Sequence, residues 1–112
     1  IMAEIIREKI LLNTRDEIPH SVAIVIERIV SKKDKTIINA MIMVERDSQK
    51  GIIIGKQGAM LKRIGMQARK ELETIVGTTV YLELFVRVEK DWRNRRAKLL
   101  QLGYIQTEFD DE

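Results

Sequence analysis

Apolar residues recur along this chain at two spacings, and each spacing predicts a different kind of element. Steps of four residues, as from Met2 to Ile6 and Ile10, place apolar side chains on one face of a helix. Strict alternation, as in Val80 and Leu82, is typical of a half-buried strand. In chain order the predicted elements are a helix over 2–12, strands over 21–30 and 36–46, a short helix over 50–54 capped by Asp47 or Ser48, a long helix from about 58 to 76, a strand over 79–88 and a helix over 91–103.

The connections between the predicted strands define a topology. A short polar turn at 32–35 separates the first two strands, so we expect them to form an antiparallel hairpin. The third strand follows roughly thirty residues of helix, a connection that suits parallel pairing with a right-handed crossover. The pattern therefore predicts an α+β fold in which helices cover one face of a three-stranded mixed sheet.

Composition excludes several function classes. The 112 residues have room for one domain, cysteine is absent, and His20 is the single histidine. These counts exclude disulfide scaffolds, thiol catalysis and clusters of His or Cys ligands around a metal. No pair of carboxylates lies in an apolar context suited to acid–base catalysis. We therefore expect no catalytic residue, no metal site and no cofactor in this chain.

The first residue of the sequence and the length of its apolar runs indicate what kind of chain this is. No apolar run approaches the ~20 residues that a membrane-spanning helix needs. The sequence begins at Ile1 rather than methionine. We therefore expect a piece of a longer chain, without a membrane-spanning segment of its own.

A net charge of +3 conceals an uneven distribution of charged residues. Residues 45–70 carry seven cations against two anions, and residues 87–98 carry six against two. Residues 105–112 carry four anions and no cation. Two basic segments beside an acidic tail are typical of a protein that binds a polyanion, with an ordinary solvated helix surface as the alternative.

A glycine-bounded loop precedes the long helix. Gly55 and Gly58 flank Lys56 and Gln57, and glycine permits both positive φ and close approach of a ligand. The helix that follows directs its first N–H groups into the loop, which favours phosphate. The loop therefore predicts a site for a nucleic-acid backbone; the alternative is a plain helix–turn–helix corner. The residues expected to surround it are Ile53, Ile54 and Leu61 as apolar walls and Lys50, Lys62, Arg63, Lys90 and Arg93 as cations.

Aromatic side chains are few. Trp92, Tyr81, Tyr104, Phe85 and Phe109 are the complete set. Surfaces that bind RNA by stacking its bases need clustered aromatic rings. We therefore expect an aliphatic groove without a stacking platform, and we expect Trp92 to pin the last helix onto the sheet, with stacking on a single base as the alternative.

Residues 51–56 have some features of a nucleotide-binding P-loop. That motif needs four residues between its glycines and a Ser or Thr after its lysine. Here three residues separate Gly51 from Gly55, and Gln57 follows Lys56. We therefore expect no binding or hydrolysis of nucleoside triphosphates by this chain.

These motifs together resemble a known family. The order helix-strand-strand-helix-GxxG-helix-strand is similar to that of a type II KH domain, an RNA-binding fold. More closely, the runs 18–21 (IPHS), 44–56 (VERDSQKGIIIGK) and 90–94 (KDWRN) resemble the carboxy-terminal domain of the bacterial Era GTPases. The resemblance covers residues 5–104. It departs at Phe85, where the family commonly has tryptophan, and at the acidic tail.

The resemblance implies a function for this domain. It implies an RNA-binding domain over 1–104, including the helix over 91–103, followed by a tail over 105–112. Such a domain clamps single-stranded RNA through the GxxG loop, and the strand after the long helix, with the loop before it, completes the groove at residues 77–84. The implied ligand is the 3′ end of small-subunit (16S) ribosomal RNA, and the implied partner is the small ribosomal subunit during its assembly.

The resemblance also has implications beyond this chain. It implies a GTPase domain outside this sequence that holds GTP and Mg, a cytoplasmic location in a bacterium, and peripheral association with the inner face of the cell membrane. The alternative function is a protein-interaction domain whose basic helices dock an acidic partner or the GTPase half.

Overall fold

The structure of the chain, a computed structural model, describes residues 1–15 and 22–90. The predicted order of helices and strands is confirmed within this part, with ends that shift by a few residues. The elements are α1 (Met2–Thr14), β1 (Ala23–Ser31), β2 (Lys35–Val44), α2 (Asp47–Ile54), a 3₁₀ turn (Lys56–Gly58), α3 (Ala59–Val76) and β3 (Thr79–Val88).

The three strands form one mixed sheet with β2 in the centre. β1 pairs with β2 antiparallel, with a register irregularity between Ile26 and Arg28. β3 pairs with β2 in parallel, from Thr79 opposite Lys35 to Val88 opposite Val44. The predicted hairpin and the predicted parallel pairing are both confirmed. β3 is consequently an edge strand of the described sheet.

One face of the sheet carries the hydrophobic core. The buried face of β2 follows the predicted alternation, because Ile38, Ala40 and Ile42 are fully buried. Branched aliphatic residues suit such a pleated, packed surface. The helices cover this face with fully buried side chains: Ile6 and Ile10 from α1, Ile53 from α2, and Ile64, Ala68 and Leu72 from α3. The fold is therefore the predicted α+β arrangement, with helices on one side of the sheet.

The start of α2 differs from the prediction. The helix begins at Asp47, and its N-cap is Arg46 rather than Asp47 or Ser48. The buried side chain of Gln49 reaches back, and its Oε1 accepts the N–H groups of Glu45 and Arg46 at 3.0 and 3.1 Å. An amide in the first turn thus fixes the helix start by binding the N–H groups just before it, in place of the expected cap by a shorter polar side chain.

Several predictions lie outside the described residues. They concern the run 18–21 that carries part of the resemblance, the helix over 91–103 with Trp92, and the acidic tail over 105–112. The domain bounds 1–104 stay a prediction as well.

Candidate nucleic-acid interface

The loop between α2 and α3 depends on its glycines. Gly55 has φ 75° and ψ 179°, a backbone region that essentially only glycine occupies, and Gly58 has φ 77°. A Cβ placed on Gly55 would lie 2.6 Å from the Cβ of Met60 and 2.9 Å from its backbone nitrogen. Glycine is therefore required at 55 both by conformation and by space, whereas at 58 conformation alone favours it.

The loop presents two polar side chains at the amino end of α3. Lys56 and Gln57 are exposed, and neither side chain forms a hydrogen bond or ion pair within the described part of the chain. The N–H of Gly58 donates to the Gly55 carbonyl at 3.2 Å, which closes the turn. α3 then begins at Ala59 without a side-chain cap. A helix start of this kind, beside a mobile ammonium group, suits a phosphate.

A groove of about 520 Å³ runs from this loop along α3 and β3. Its lining consists of Gly58, Leu61, Lys62, Gly65, Met66 and Arg69 on the helix side and residues 80–84 on the strand side. Helix and strand approach each other closely at Gly65, where an added Cβ would lie 3.7 Å from Cδ1 of Leu84. The half-buried Leu61, Leu82 and Leu84 make the groove's surface apolar, and the exposed Lys62 and Arg69 make it basic.

The structure brings part of the predicted site together. Gly58, Leu61 and Lys62 line the groove, and Gly55, Lys56 and Gln57 form the loop at its end. The strand after α3 supplies the second wall, as the resemblance implied.

Other predicted residues lie elsewhere. Ile53 is fully buried in the core, because it follows Gln49 by four residues on the inward face of α2, so its assignment to a groove wall is corrected. Ile54 and Lys50 are half-buried on α2 and lie outside the groove lining. Arg63 is exposed on α3 beyond the lining, and Lys90 is exposed after β3. Arg93 lies outside the described residues.

The groove also contains residues that sequence reasoning missed. Gly65, Met66 and Arg69 lie four to eight residues after Leu61, so helical spacing from Leu61 was a usable signal. Tyr81 and Glu83 are not among the missed residues, because they lie within residues 77–84, which the resemblance assigned to the groove. Strand alternation turns Val80, Leu82 and Leu84 toward the helices, so Tyr81 and Glu83 border the groove at the strand edge while their side chains leave the other face of the sheet.

The described residues contain no group of three or more His, Cys, Asp or Glu side chains that could hold a metal ion. No helix among them is long and apolar enough to cross a membrane.

A family model described as "KH domain" matches residues 17–93. The chain therefore belongs to the KH domain family, and the GxxG loop between α2 and α3 lies within the matched segment. Its similarity extends to one protein in particular. Over 109 residues the chain is 62% identical to GTPase Era of Fusobacterium nucleatum subsp. nucleatum. The aligned segment covers 95% of this chain and 36% of that protein.

Solved structures agree with this comparison. A crystal structure of Era in complex with MgGDPNP and nucleotides 1506–1542 of 16S ribosomal RNA superposes with a TM-score of 0.82 at 45% identity. A variant of Aquifex aeolicus Era bound to GDP·AlF4⁻ gives a TM-score of 0.81, also at 45% identity. Each match covers 94% of this chain and 36% of the solved chain. The resemblance to the carboxy-terminal domain of Era is thus confirmed, and the chain spans about a third of the length of these relatives.

Proposed function

We propose that this domain binds single-stranded RNA in the groove between α3 and β3. The observation that carries the proposal is the continuity between the groove and the GxxG loop at its end. The loop and the start of α3 hold the RNA backbone, with Lys56 as a cation beside it. Leu61, Leu82 and Leu84 offer an apolar surface to the bases, which suits splayed, unpaired nucleotides better than a duplex.

The ligand we propose is the 3′ end of small-subunit ribosomal RNA. The solved complex of Era with nucleotides 1506–1542 of 16S ribosomal RNA supports this choice, because that Era chain has the same fold over 94% of the present chain. We further propose that the chain is the RNA-binding part of an Era-type GTPase that acts in assembly of the small ribosomal subunit. GTP and Mg would be held by the GTPase domain of such a protein, not by the residues described above.

The remaining predicted residues have supporting roles in this proposal. Lys50, Arg63, Lys90 and Arg93 act as flanking cations that draw the polyanion toward the groove. Cations of this kind strengthen binding most at low salt. We place the protein in the bacterial cytoplasm with the ribosome. We also propose peripheral association with the inner face of the membrane, which co-sedimentation with anionic vesicles tests.

A double substitution in the loop tests RNA binding directly. The variant Lys56→Asp with Gln57→Asp places two carboxylates where the phosphates should lie, and we expect it to abolish measurable binding of the 16S 3′-end RNA at physiological salt. Gln57 has φ 55°, a left-handed conformation that Asp tolerates better than most residues, so the fold should persist. Fluorescence anisotropy measures the affinity, and circular dichroism with thermal melting reports on the fold.

The matched control carries the same change in net charge at the other end of the sheet. Lys32 and Lys33 are exposed in the β1–β2 turn, next to the strand ends at Lys35 and Thr79. The variant Lys32→Asp with Lys33→Gln should retain affinity within about threefold, as expected for loss of long-range attraction alone. Equal affinity of the loop variant and wild type, with both folded, would refute the proposal. Capture of an acidic protein that survives nuclease treatment would instead support the protein-interaction alternative.

A further inference from the structure

The face of the sheet opposite the described helices carries large apolar side chains. Val25 on β1 is 38% exposed, and Tyr81 and Phe85 on β3 are 55% and 50% exposed. Strand alternation and register place them on one face with three half-buried residues of β2, which are Ile37, Met41 and Met43. Exposed apolar surface of this extent typically marks an interaction site.

A polar row crosses this open face between two apolar rows. Asn39 on β2 is the register partner of both Arg28 on β1 and Glu83 on β3. The register irregularity after Ile26 inserts one residue, Glu27, and thereby keeps Arg28 on the open side of β1. The apolar rows on either side consist of Val25, Met41 and Phe85, and of Val30, Ile37 and Tyr81.

The polar row is incomplete within one copy of the chain. Arg28 and Glu83 are exposed, and neither forms an ion pair among the described residues. Oδ1 of Asn39 is buried, and no described residue donates a hydrogen bond to it. Buried acceptors of this kind are normally hydrogen-bonded. The row therefore has a cation, an anion and an amide that a partner of matching polarity would satisfy.

The row is complementary to itself under a two-fold axis that lies along β2, between two facing sheets. Rotation about this axis exchanges the β1 side with the β3 side, so Arg28 of each copy faces Glu83 of the other. The two Asn39 side chains face each other across the axis. Facing sheets lie about 10 Å apart, which lets two amides that turn toward one another exchange hydrogen bonds.

We infer that this face binds a second copy of the chain, sheet against sheet, about that axis. The apolar rows then pack as well, with Val25 over Phe85 and Val30 over Tyr81 of the second copy. An axis across the strands would instead bring Arg28 against Arg28, so the charge pattern selects one arrangement. This reciprocity favours a second copy over an unrelated protein as the occupant of the face.

The size of the face sets the strength of the association. Three strands of about nine residues cover roughly 450 Å² per copy, given strand spacings of ~4.8 Å and a rise of ~3.3 Å per residue. The pair therefore buries roughly 900 Å², less than the ~1,200 Å² at which stable complexes begin. We expect a weak dimer that forms only as the protein concentration rises. The inference is independent of RNA binding, because the groove opens on the helix side of the sheet.

Sedimentation velocity of the whole chain, from micromolar to near-millimolar concentration, measures the association. Arg28→Glu and Glu83→Arg each place like charges in both symmetry-related contacts, and we expect each to weaken self-association at least about tenfold. Lys70→Glu is the matched control, because it makes the same change in charge as Arg28→Glu on the exposed side of α3. The control should associate as wild type does.

A mixture of the two charge-reversed variants tests the axis itself. In a heterodimer of Arg28→Glu with Glu83→Arg, both contacts between positions 28 and 83 again join a cation to an anion. The mixture should therefore associate about as strongly as wild type, although each variant alone is mainly monomeric and folded by circular dichroism. A monomeric wild type at the highest concentration, undiminished association of either variant, or a mixture that fails to associate would overturn the inference and leave the proposed RNA binding unaffected.

Discussion

At its carboxyl end α3 is tied to its neighbours by side chains, whereas at its amino end it is joined to α2 by backbone conformation. Gly77 closes the carboxyl end, and Oε2 of Glu73 accepts the N–H of Val80 at 2.9 Å, which fixes the start of β3. The hydroxyl groups of Thr36 and Thr78 lie 2.8 Å apart and join β2 to the same turn. The amino end has no side-chain cap.

The two ends of α3 therefore have different roles: contacts at the carboxyl end stabilise the fold, and the amino end is available for binding. Polar groups at the carboxyl end are satisfied within the domain, so substitutions there should alter folding and leave the ligand site intact. At the amino end, the α3 start and the exposed Lys56 are available to a ligand. A binding site of this type needs unsatisfied donors turned toward the ligand, and the glycines at 55 and 58 permit the positive-φ backbone that presents them.

The largest expected effect comes from adding a methyl group to a glycine, in the loop before α3 or at the cap after it. Gly55→Ala must distort the loop, because the new Cβ would overlap Met60 and the conformation suits glycine alone. We expect it to lower the free energy of unfolding by about 3 kcal/mol and to abolish RNA binding. Gly77→Ala has the same positive φ but meets no atom within 4 Å, so it should cost only about 1 kcal/mol and leave RNA affinity unchanged.

Urea unfolding followed by circular dichroism measures both glycine variants, and anisotropy with 16S 3′-end RNA measures their binding. Domains typically have a free energy of unfolding of roughly 5–15 kcal/mol, which exceeds both expected losses. Both variants should therefore remain folded for the binding measurement. Equal destabilisation at 55 and 77 would contradict the account of the loop as sterically closed to a side chain.

A smaller effect is expected from the carboxylate that holds the start of β3. Glu73→Ala removes the acceptor for the half-buried N–H of Val80, and we expect a loss of about 1 kcal/mol in the free energy of unfolding. Glu73→Gln keeps an oxygen acceptor and should lose less. RNA affinity should be unchanged in both, since Glu73 lies outside the groove lining. Weakened RNA binding in a stable Glu73 variant would break the division between the two ends.

Much of the fold could be predicted because its signals are local. The alternation in β3 predicted residues 79–88, and the structure has Thr79–Val88. The glycine at the end of α3 likewise marked a left-handed cap, and Gly77 has φ 78°. The cap of α2 was missed because Gln49 acts by reaching back from the first turn, which competes with the simpler signal of Asp47 and Ser48.

The candidate site was less predictable, because a groove is formed by two distant elements. The GxxG loop is contiguous and was found from its residues. Arg69 and Leu82 meet in one groove only through the pairing of β3 with β2 and the packing of α3 above it. Ile53 was assigned to the groove because it adjoins the loop in sequence, yet its direction on α2 places it in the core. Helical phase, not proximity in sequence, decides between these two environments.

The smallest expected effect concerns the contact of α1 with the carboxyl half of α3. Nζ of Lys9 lies 2.9 Å from Oε1 of Glu71 and 3.0 Å from Oε1 of Glu8, and these hydrogen bonds raise the pKa of Lys9 above its ordinary value of 10.5. Because the folded-state pKa is the higher one, the contribution to stability is complete below about pH 10.5. It is lost as the pH rises through the pKa of the folded state.

Glu71→Gln tests this contact, and Lys9 keeps Glu8 as a partner in that variant. Below pH 10 we expect the variant to be about 0.5 kcal/mol less stable than wild type, a typical value for a largely surface ion pair. The difference should shrink as the pH rises past the ordinary pKa of lysine, and RNA affinity should be the same in both proteins. Urea unfolding from pH 8 to 11.5 measures the difference, with Glu27→Gln on the exposed side of β1 as the control. A difference that stays constant over this range would show that Glu71 stabilises the helix pair by packing rather than by its charge.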